Sequence, residues 1–134
     1  MTDTTKLIDL AKQHGLSNRW PEGRATEWLN WMDASGCVFT CYPSPQDHDN
    51  PMGFCVVRPI SDVSKFNKHY HIDHKGDILY CDLAVSENKQ VTRALVLALI
   101  QRYGLRSWLA SEKNKKLHIH SLPSVAKALF KNRN

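Results

Sequence analysis

The chain has 134 residues, of which 42% are hydrophobic and 23% are charged, a composition typical of a folded domain and not of a disordered chain. Its net charge of +5 is concentrated in residues 102–134, which hold eight lysines and arginines against one acidic residue, Glu112. The longest strongly apolar run, 94–100, is too short to span a membrane, and the N-terminus lacks the apolar core of a signal peptide. We therefore expect one cytoplasmic domain, 1–134, with a C-terminal third that either binds nucleic acid or an acidic protein face or is simply a solvated surface.

Two helices and then two strands are predicted for the first half of the chain. Apolar residues recur at helical spacing in 4–15 (TTKLIDLAKQHG) and in 21–34, and a glycine ends each helix. In the second helix, Trp28 and Trp31 belong to a broad apolar face. Residues 37–42 and 53–60 are predicted strands, joined by a long loop rich in proline and aspartate.

The second half of the chain is predicted to alternate strands and helices. Its elements are a strand at 77–85, a helix at 87–103, a strand at 105–110, a charged turn at 111–116, an extended segment at 117–120 and a helix at 122–130. Ser86 is the predicted N-cap of the helix at 87–103, and Gly104 is its predicted stop. The predicted fold class is α+β: helices at 1–35, then at 36–134 a mixed, mainly antiparallel sheet with two helices and a right-handed parallel crossover.

The four cysteines occur inside apolar runs, as is typical of buried thiols. They are Cys37, Cys41, Cys55 and Cys81. Because residues an even number apart in a strand share a face, Cys37 and Cys41 are predicted to point to the same side of the sheet. Their spacing does not match a C-x-x-C redox or zinc motif, so we expect no zinc site.

The stretch GDILYCDLAVS…RALVLALIQRYGLRSWLA, residues 76–110, resembles the GNAT superfamily of Gcn5-related N-acetyltransferases. Residues 85–86 (VS) and 93–99 (RALVLAL) are similar to the two ends of the family's strand–loop–helix unit, and 51–59 (PMGFCVVRP) resembles its third strand. The resemblance covers roughly residues 20–130 and implies a GNAT-like, acyl-CoA N-acyltransferase-like fold.

The resemblance does not extend to the loop that binds the cofactor. Family members hold the pyrophosphate of acetyl-coenzyme A with the pattern Q/R-x-x-G-x-G/A at a helix N-terminus, whereas residues 87–92 (ENKQVT) contain no glycine. If Gln90 opened the pattern, the glycine positions would fall on Arg93 and Leu95, whose side chains would crowd the pyrophosphate. Should acetyl-coenzyme A bind nevertheless, the resemblance assigns its contacts to Leu83, Val85, Lys89, Gln90 and Arg93.

The residues that would transfer protons are a second difference from the family. Its members often carry a tyrosine on the fourth helix as general acid and a carboxylate on or near the fourth strand as general base. The predicted last helix, 122–130, has no tyrosine. Asp82 is the candidate base, because its apolar neighbours should raise its pKa. The alternative for Asp82 is a structural carboxylate bonded to a backbone amide or to a basic side chain.

Two further groups of residues are candidate sites. His69, His71 and Asp73 have metal-ligand chemistry and would share one face of a strand, although a solvated loop without metal is the favoured interpretation. Lys113, Lys115 and Lys116 are the candidate partner-binding residues.

Two functions are compatible with these observations. The missing glycines and tyrosine favour a non-catalytic, degenerate GNAT-like domain that needs no cofactor and binds a macromolecular partner, either protein or nucleic acid. Such a domain would suit an accessory protein of a virus or mobile element. The alternative is an N-acetyltransferase that uses acetyl-coenzyme A with an atypical pyrophosphate-binding turn.

Overall fold

The computed structural model describes residues 4–15, 24–47, 49–62, 70–105, 107–113 and 116–130. In chain order these residues form α1 (Thr4–Gln13), α2 (Ala25–Ala34), β1 (Val38–Cys41), β2 (Gly53–Ile60), β3 (Ile78–Ser86), α3 (Lys89–Tyr103), β4 (Trp108–Lys113), β5 (Lys116–Ser121) and α4 (Leu122–Phe130). Within the described ranges, no helix combines the length and apolar character needed to cross a membrane.

The five strands form one sheet in the order β1-β2-β3-β4-β5. β3 and β4 are parallel and are connected through α3, whereas the other three pairs are antiparallel. The predicted α+β class with a mixed, mainly antiparallel sheet is therefore confirmed. β3 is the central strand, and every residue of its neighbour β2 is buried, because helices cover both faces of this part of the sheet.

The two faces of the sheet carry separate cores. The first core packs α1 and α2 on one face and includes Leu7, Trp28, Leu29, Phe54 and Val85. The second core packs α3 and α4 on the other face and includes Val57, Leu79, Leu95, Leu99 and Leu122. Successive residues of a strand point to opposite faces, so β2 and β3 contribute to both cores.

Several predicted boundaries differ from those observed. The predicted strand at 105–110 is β4, which begins at Trp108, and the predicted charged turn at 111–116 is wrong because most of it is strand. Pairing of β4 with β5 runs from Trp108–Ser121 to Lys113–Lys116. The ladder therefore extends through Ser111 and Glu112, since hydrogen bonding of the backbone does not require apolar side chains.

The prediction that Cys37 and Cys41 share a face is also wrong. Cys37 is buried in the first core, whereas Cys41 packs against the second. Strand alternation does not apply to Cys37, because β1 begins one residue later, at Val38. Cys55 is buried as predicted, Cys41 and Cys81 are half-buried, and no disulfide joins the four thiols.

A β-bulge in β3 places Asp82. The register between β2 and β3 shifts between Val56 and Val57, which face Leu83 and Cys81 respectively. Asp82 is therefore the extra residue. The ladder between β3 and β4 ends at Cys81–Ser111, one residue before the bulge, and β3 continues beyond that point to the turn that leads into α3.

Candidate functional site

The N-terminus of α3, which follows the turn from β3, is capped by a side chain. Asn88 has an extended backbone, with φ −162° and ψ 176°, and its side chain accepts a hydrogen bond from the Val91 amide at 3.0 Å. Asn88 is thus the N-cap of α3, and the prediction of Ser86 is wrong. β3 runs on through Ser86, so the helix begins two residues later than predicted. The Ser86 hydroxyl instead donates to the Asn88 carbonyl at 2.7 Å and accepts from the Thr92 hydroxyl at 2.8 Å.

Replacing the cap residue should measure its contribution. We expect Asn88→Ala to lower the free energy of unfolding by about 1 kcal/mol, because one first-turn amide loses its acceptor. Asn88→Asp is the matched control: it keeps the acceptor and adds a charge that the helix dipole favours. Urea unfolding of both variants tests this, and equal stability of Asn88→Ala and Asn88→Asp would contradict the assignment.

The side chains of the residues assigned to acetyl-coenzyme A by the family resemblance point in different directions. Leu83 and Val85 point into the first core and are buried. Lys89 and Gln90 lie exposed in the first turn of α3. Arg93 is engaged elsewhere: its Nε donates to the Leu129 carbonyl at 2.6 Å, and its guanidinium lies over the Phe130 ring at 5.7 Å.

Gly53, on the neighbouring strand β2, allows this turn to pack closely against the sheet. This role of Gly53 was not predicted from the sequence. A Cβ atom at Gly53, the first residue of β2, would lie 2.5 Å from Val91 Cγ1 and 2.6 Å from the Val85 carbonyl oxygen. The start of α3 therefore packs directly against bare backbone of β2. The only sequence signal was a glycine at the start of an apolar strand.

Asp82 forms a buried ion pair with Arg58 of β2. Arg58 Nε and Nη2 donate to the two carboxylate oxygens of Asp82 at 2.8 and 3.2 Å, and the two side chains are 0% and 6% exposed. Arg58 Nη1 also donates to the His71 carbonyl at 2.9 Å, and the guanidinium lies 5.2 Å from the centre of the Tyr80 ring. Burial raises the pKa of Asp82 to about 6, against the opposing effect of the Arg58 charge, so the carboxylate is ionised at neutral pH. The basic-partner alternative for Asp82 is therefore the arrangement observed.

An apolar cavity lies between the sheet, α3 and α4. Its volume is about 470 Å³. The lining residues come from β2, β3, β4, β5 and both helices, and include Cys55, Cys81, Leu95, Leu109, His120 and Leu129. Ser86 and Thr92, beside the α3 cap, also line it, but Asp82 is not among the described lining residues. The cavity was not predicted from the sequence, because its lining residues come from four strands and two helices that only the fold brings together.

His71, Asp73 and Lys116, the remaining candidates whose side chains the structure describes, are not among the described residues that line this cavity. His71 and Asp73 belong to the irregular segment before β3, and hydrogen bonds from the Ser61 side chain and the Lys75 amide lower the pKa of Asp73. His69, Lys115 and the side chain of Lys113 lie outside the described residues. Lys116 is exposed at the start of β5.

In the part of the chain that the structure describes, histidine, cysteine and acidic side chains do not form a group able to hold a metal ion. Comparison of the chain with models of protein families, with curated proteins and with solved structures found no match in any of the three.

Proposed function

We propose that this protein is a non-catalytic domain with a GNAT-like fold and that it acts by binding a macromolecular partner. The observation that carries the proposal is the Asn88 cap. The amide of Val91, at the helix end where GNAT enzymes hold a pyrophosphate, already donates to the Asn88 side chain. A phosphate at this turn would have to compete with that bond, and the turn has no glycine to bring further amides close.

The ion pair of Asp82 supports the same proposal. A general base must reach the proton that it removes, whereas both carboxylate oxygens of Asp82 accept hydrogen bonds from Arg58. The pair is also almost completely buried. A carboxylate held in this way fits a structural role, since removal of either partner would leave the other charged and unpaired inside the protein.

The basic C-terminal third is the proposed partner surface. Arg102, Lys116 and Lys127 are exposed on α3, β5 and α4, and residues 102–134 hold eight basic residues against one acidic residue. Such a surface attracts acidic partners, whether nucleic acid or protein.

N-acetyltransferase activity is the second candidate function, and the cavity is the observation that favours it. Ser86 and Thr92, at the turn where coenzyme A would lie, contribute to the lining of the cavity. An acyl group could therefore enter beside α3, with Lys89 and Gln90 near the phosphates.

Thermal unfolding with and without acetyl-coenzyme A separates the two functions. A ligand that binds only the folded state raises the melting temperature by mass action. We expect no shift at millimolar acetyl-coenzyme A, with buffer of equal ionic strength as the reference. A clear upward shift would overturn the non-catalytic proposal and favour the acetyltransferase.

Charge reversal tests the partner surface. We expect the protein to bind labelled duplex DNA or polyglutamate, and we expect Lys113→Glu/Lys115→Glu/Lys116→Glu to weaken that binding at least about tenfold, because each lysine that contacts an anionic polymer adds to affinity. The control reverses Lys6, Lys12 and Lys75, which lie outside the basic third. Fluorescence anisotropy at two salt concentrations measures the binding affinity of both variants. Equal losses of affinity in the two variants would place the partner surface elsewhere.

A further inference from the structure

The cavity between the sheet, α3 and α4 has the size of a small-molecule site. Its volume of about 470 Å³ falls within the range of about 300–1,000 Å³ that ligand pockets occupy. The cavity lies between two helices and the sheet and is open to solvent on one side, as ligand pockets are.

The inner wall of the cavity is suited to a hydrocarbon chain. Val57, Leu95, Val96, Leu99 and Leu109 form much of it. Cys55 adds a thiol whose pKa is raised well above its ordinary value by burial, so that it is uncharged at neutral pH. Water has few hydrogen-bond partners on such a wall. An alkyl chain, in contrast, would bury its own surface and make dispersion contacts with every side chain.

The open side of the cavity has a different chemistry. Ala84, His120, Ser124 and Ala128 line the cavity and are exposed, so the cavity reaches solvent beside them. The His120 imidazole and the Ser124 hydroxyl are hydrogen-bond donors. A carboxylate accepts hydrogen bonds from such donors, whereas a quaternary ammonium head accepts none.

We propose that the cavity binds a medium-chain fatty acid. The alkyl chain occupies the apolar interior between α3 and α4, and the carboxylate lies at the open side beside His120 and Ser124. This site goes beyond the proposed function, because it requires neither coenzyme A nor a macromolecular partner.

Calorimetry with two amphiphiles of equal chain length tests the ligand class. We expect dodecanoate, below its critical micelle concentration, to bind with one site per chain. Dodecyltrimethylammonium carries the same chain on a cationic head, and we expect its affinity to be at least about tenfold lower because this head cannot accept hydrogen bonds from His120 and Ser124. Absence of dodecanoate binding would overturn the proposal, and equal affinities would overturn the carboxylate assignment.

A pair of matched substitutions tests whether dodecanoate binds in the cavity. Ala128 lies on α4 and lines the cavity, whereas Ala94 is exposed on α3 and is not among the described lining residues. We expect Ala128→Phe to weaken dodecanoate binding at least about tenfold, since the phenyl ring takes up volume that the chain needs. Ala94→Phe should leave the affinity within about twofold. Equal effects of the two substitutions would show that dodecanoate binds elsewhere.

Cysteine protection in the unaltered protein provides a test that does not depend on a folded variant. Cys81 lines the cavity, whereas Cys41 is also half-buried but is not among the described lining residues. We expect dodecanoate to slow alkylation of Cys81 by N-ethylmaleimide, followed by peptide mass spectrometry, and to leave Cys41 unchanged. Equal rates at Cys81 with and without dodecanoate would overturn the proposal. Because none of these three tests uses the basic lysines or coenzyme A, failure here would leave the proposed function standing.

Discussion

Arg58→Ala is expected to lower the free energy of unfolding by about 3–5 kcal/mol, because it leaves the Asp82 carboxylate buried without its ion-pair partner. Arg58 is completely buried and donates to both carboxylate oxygens of Asp82 and to the His71 carbonyl. Its removal therefore affects β2, β3 and the segment before β3 together. Chemical denaturation monitored by circular dichroism measures the loss.

Two further variants show whether the loss comes from the unpaired charge. Arg24→Ala removes the same side chain from the exposed Arg24–Glu27 pair, where the nitrogen and oxygen are 3.3 Å apart, and should cost no more than about 1 kcal/mol. The double variant Arg58→Met/Asp82→Leu removes both charges and should recover much of the stability lost in Arg58→Ala. A double variant less stable than Arg58→Ala would indicate that the pair itself stabilises the fold.

The double variant also bears on Asp82 as a candidate base. If it folds and still binds its partner, then Asp82 is dispensable for the proposed function. If acetyl-coenzyme A raises the melting temperature of the unaltered protein and acetyl transfer is lost in Asp82→Asn, then the acetyltransferase function is favoured and Asp82 takes the role that the family resemblance implies.

Trp28→Ala is expected to destabilise the protein by about 3–5 kcal/mol, because a fully buried indole leaves a large cavity when it is removed. Trp28 is 0% exposed and packs in the first core between α1, α2 and the sheet. The loss should affect the N-terminal helices most, because α1 reaches the sheet beside this side chain. Thermal and urea unfolding measure the change.

Trp31 provides the matched control on the same helix. Its side chain is 37% exposed and contacts Tyr70 edge to face, with ring centres 5.0 Å apart. Trp31→Ala should therefore cost only about 1 kcal/mol, which is the contribution of such an aromatic pair. If both alanine variants were equally unstable, the separation of α2 into a buried and an exposed side would be wrong.

Most secondary structure could be predicted from the sequence, because it depends on local patterns. The ranges 4–15 and 122–130 show helical apolar spacing, and both contain the helices predicted for them. The apolar run at 53–60 is a strand with the predicted bounds. Gly104 ends α3 with φ +80°, which a residue without a Cβ atom adopts most readily. Periodicity and glycine placement act over a few residues and are visible in the chain itself.

The N-cap residue of α3 could not be predicted from the local sequence. Ser86 and Asn88 are both good N-cap residues, and the sequence does not distinguish them. The choice depends on how far β3 runs, and β3 continues to Ser86 because its ladder with Gly53 of β2 holds it in the sheet. The helix therefore begins after the second candidate.

The sequence by itself determined the α+β class, the order of the elements and the absence of glycine at the β3–α3 turn. Only the tertiary structure decided that Asp82 pairs with Arg58, which lies 24 residues away in the chain, and that a cavity remains beside the end of β3. The position of Asp82 depends on strand register, because a bulge in β3 opposite Val56 and Val57 sets it. The cavity depends on the packing of residues from four strands and two helices. Register arises from contacts between distant segments, so no local pattern encodes it.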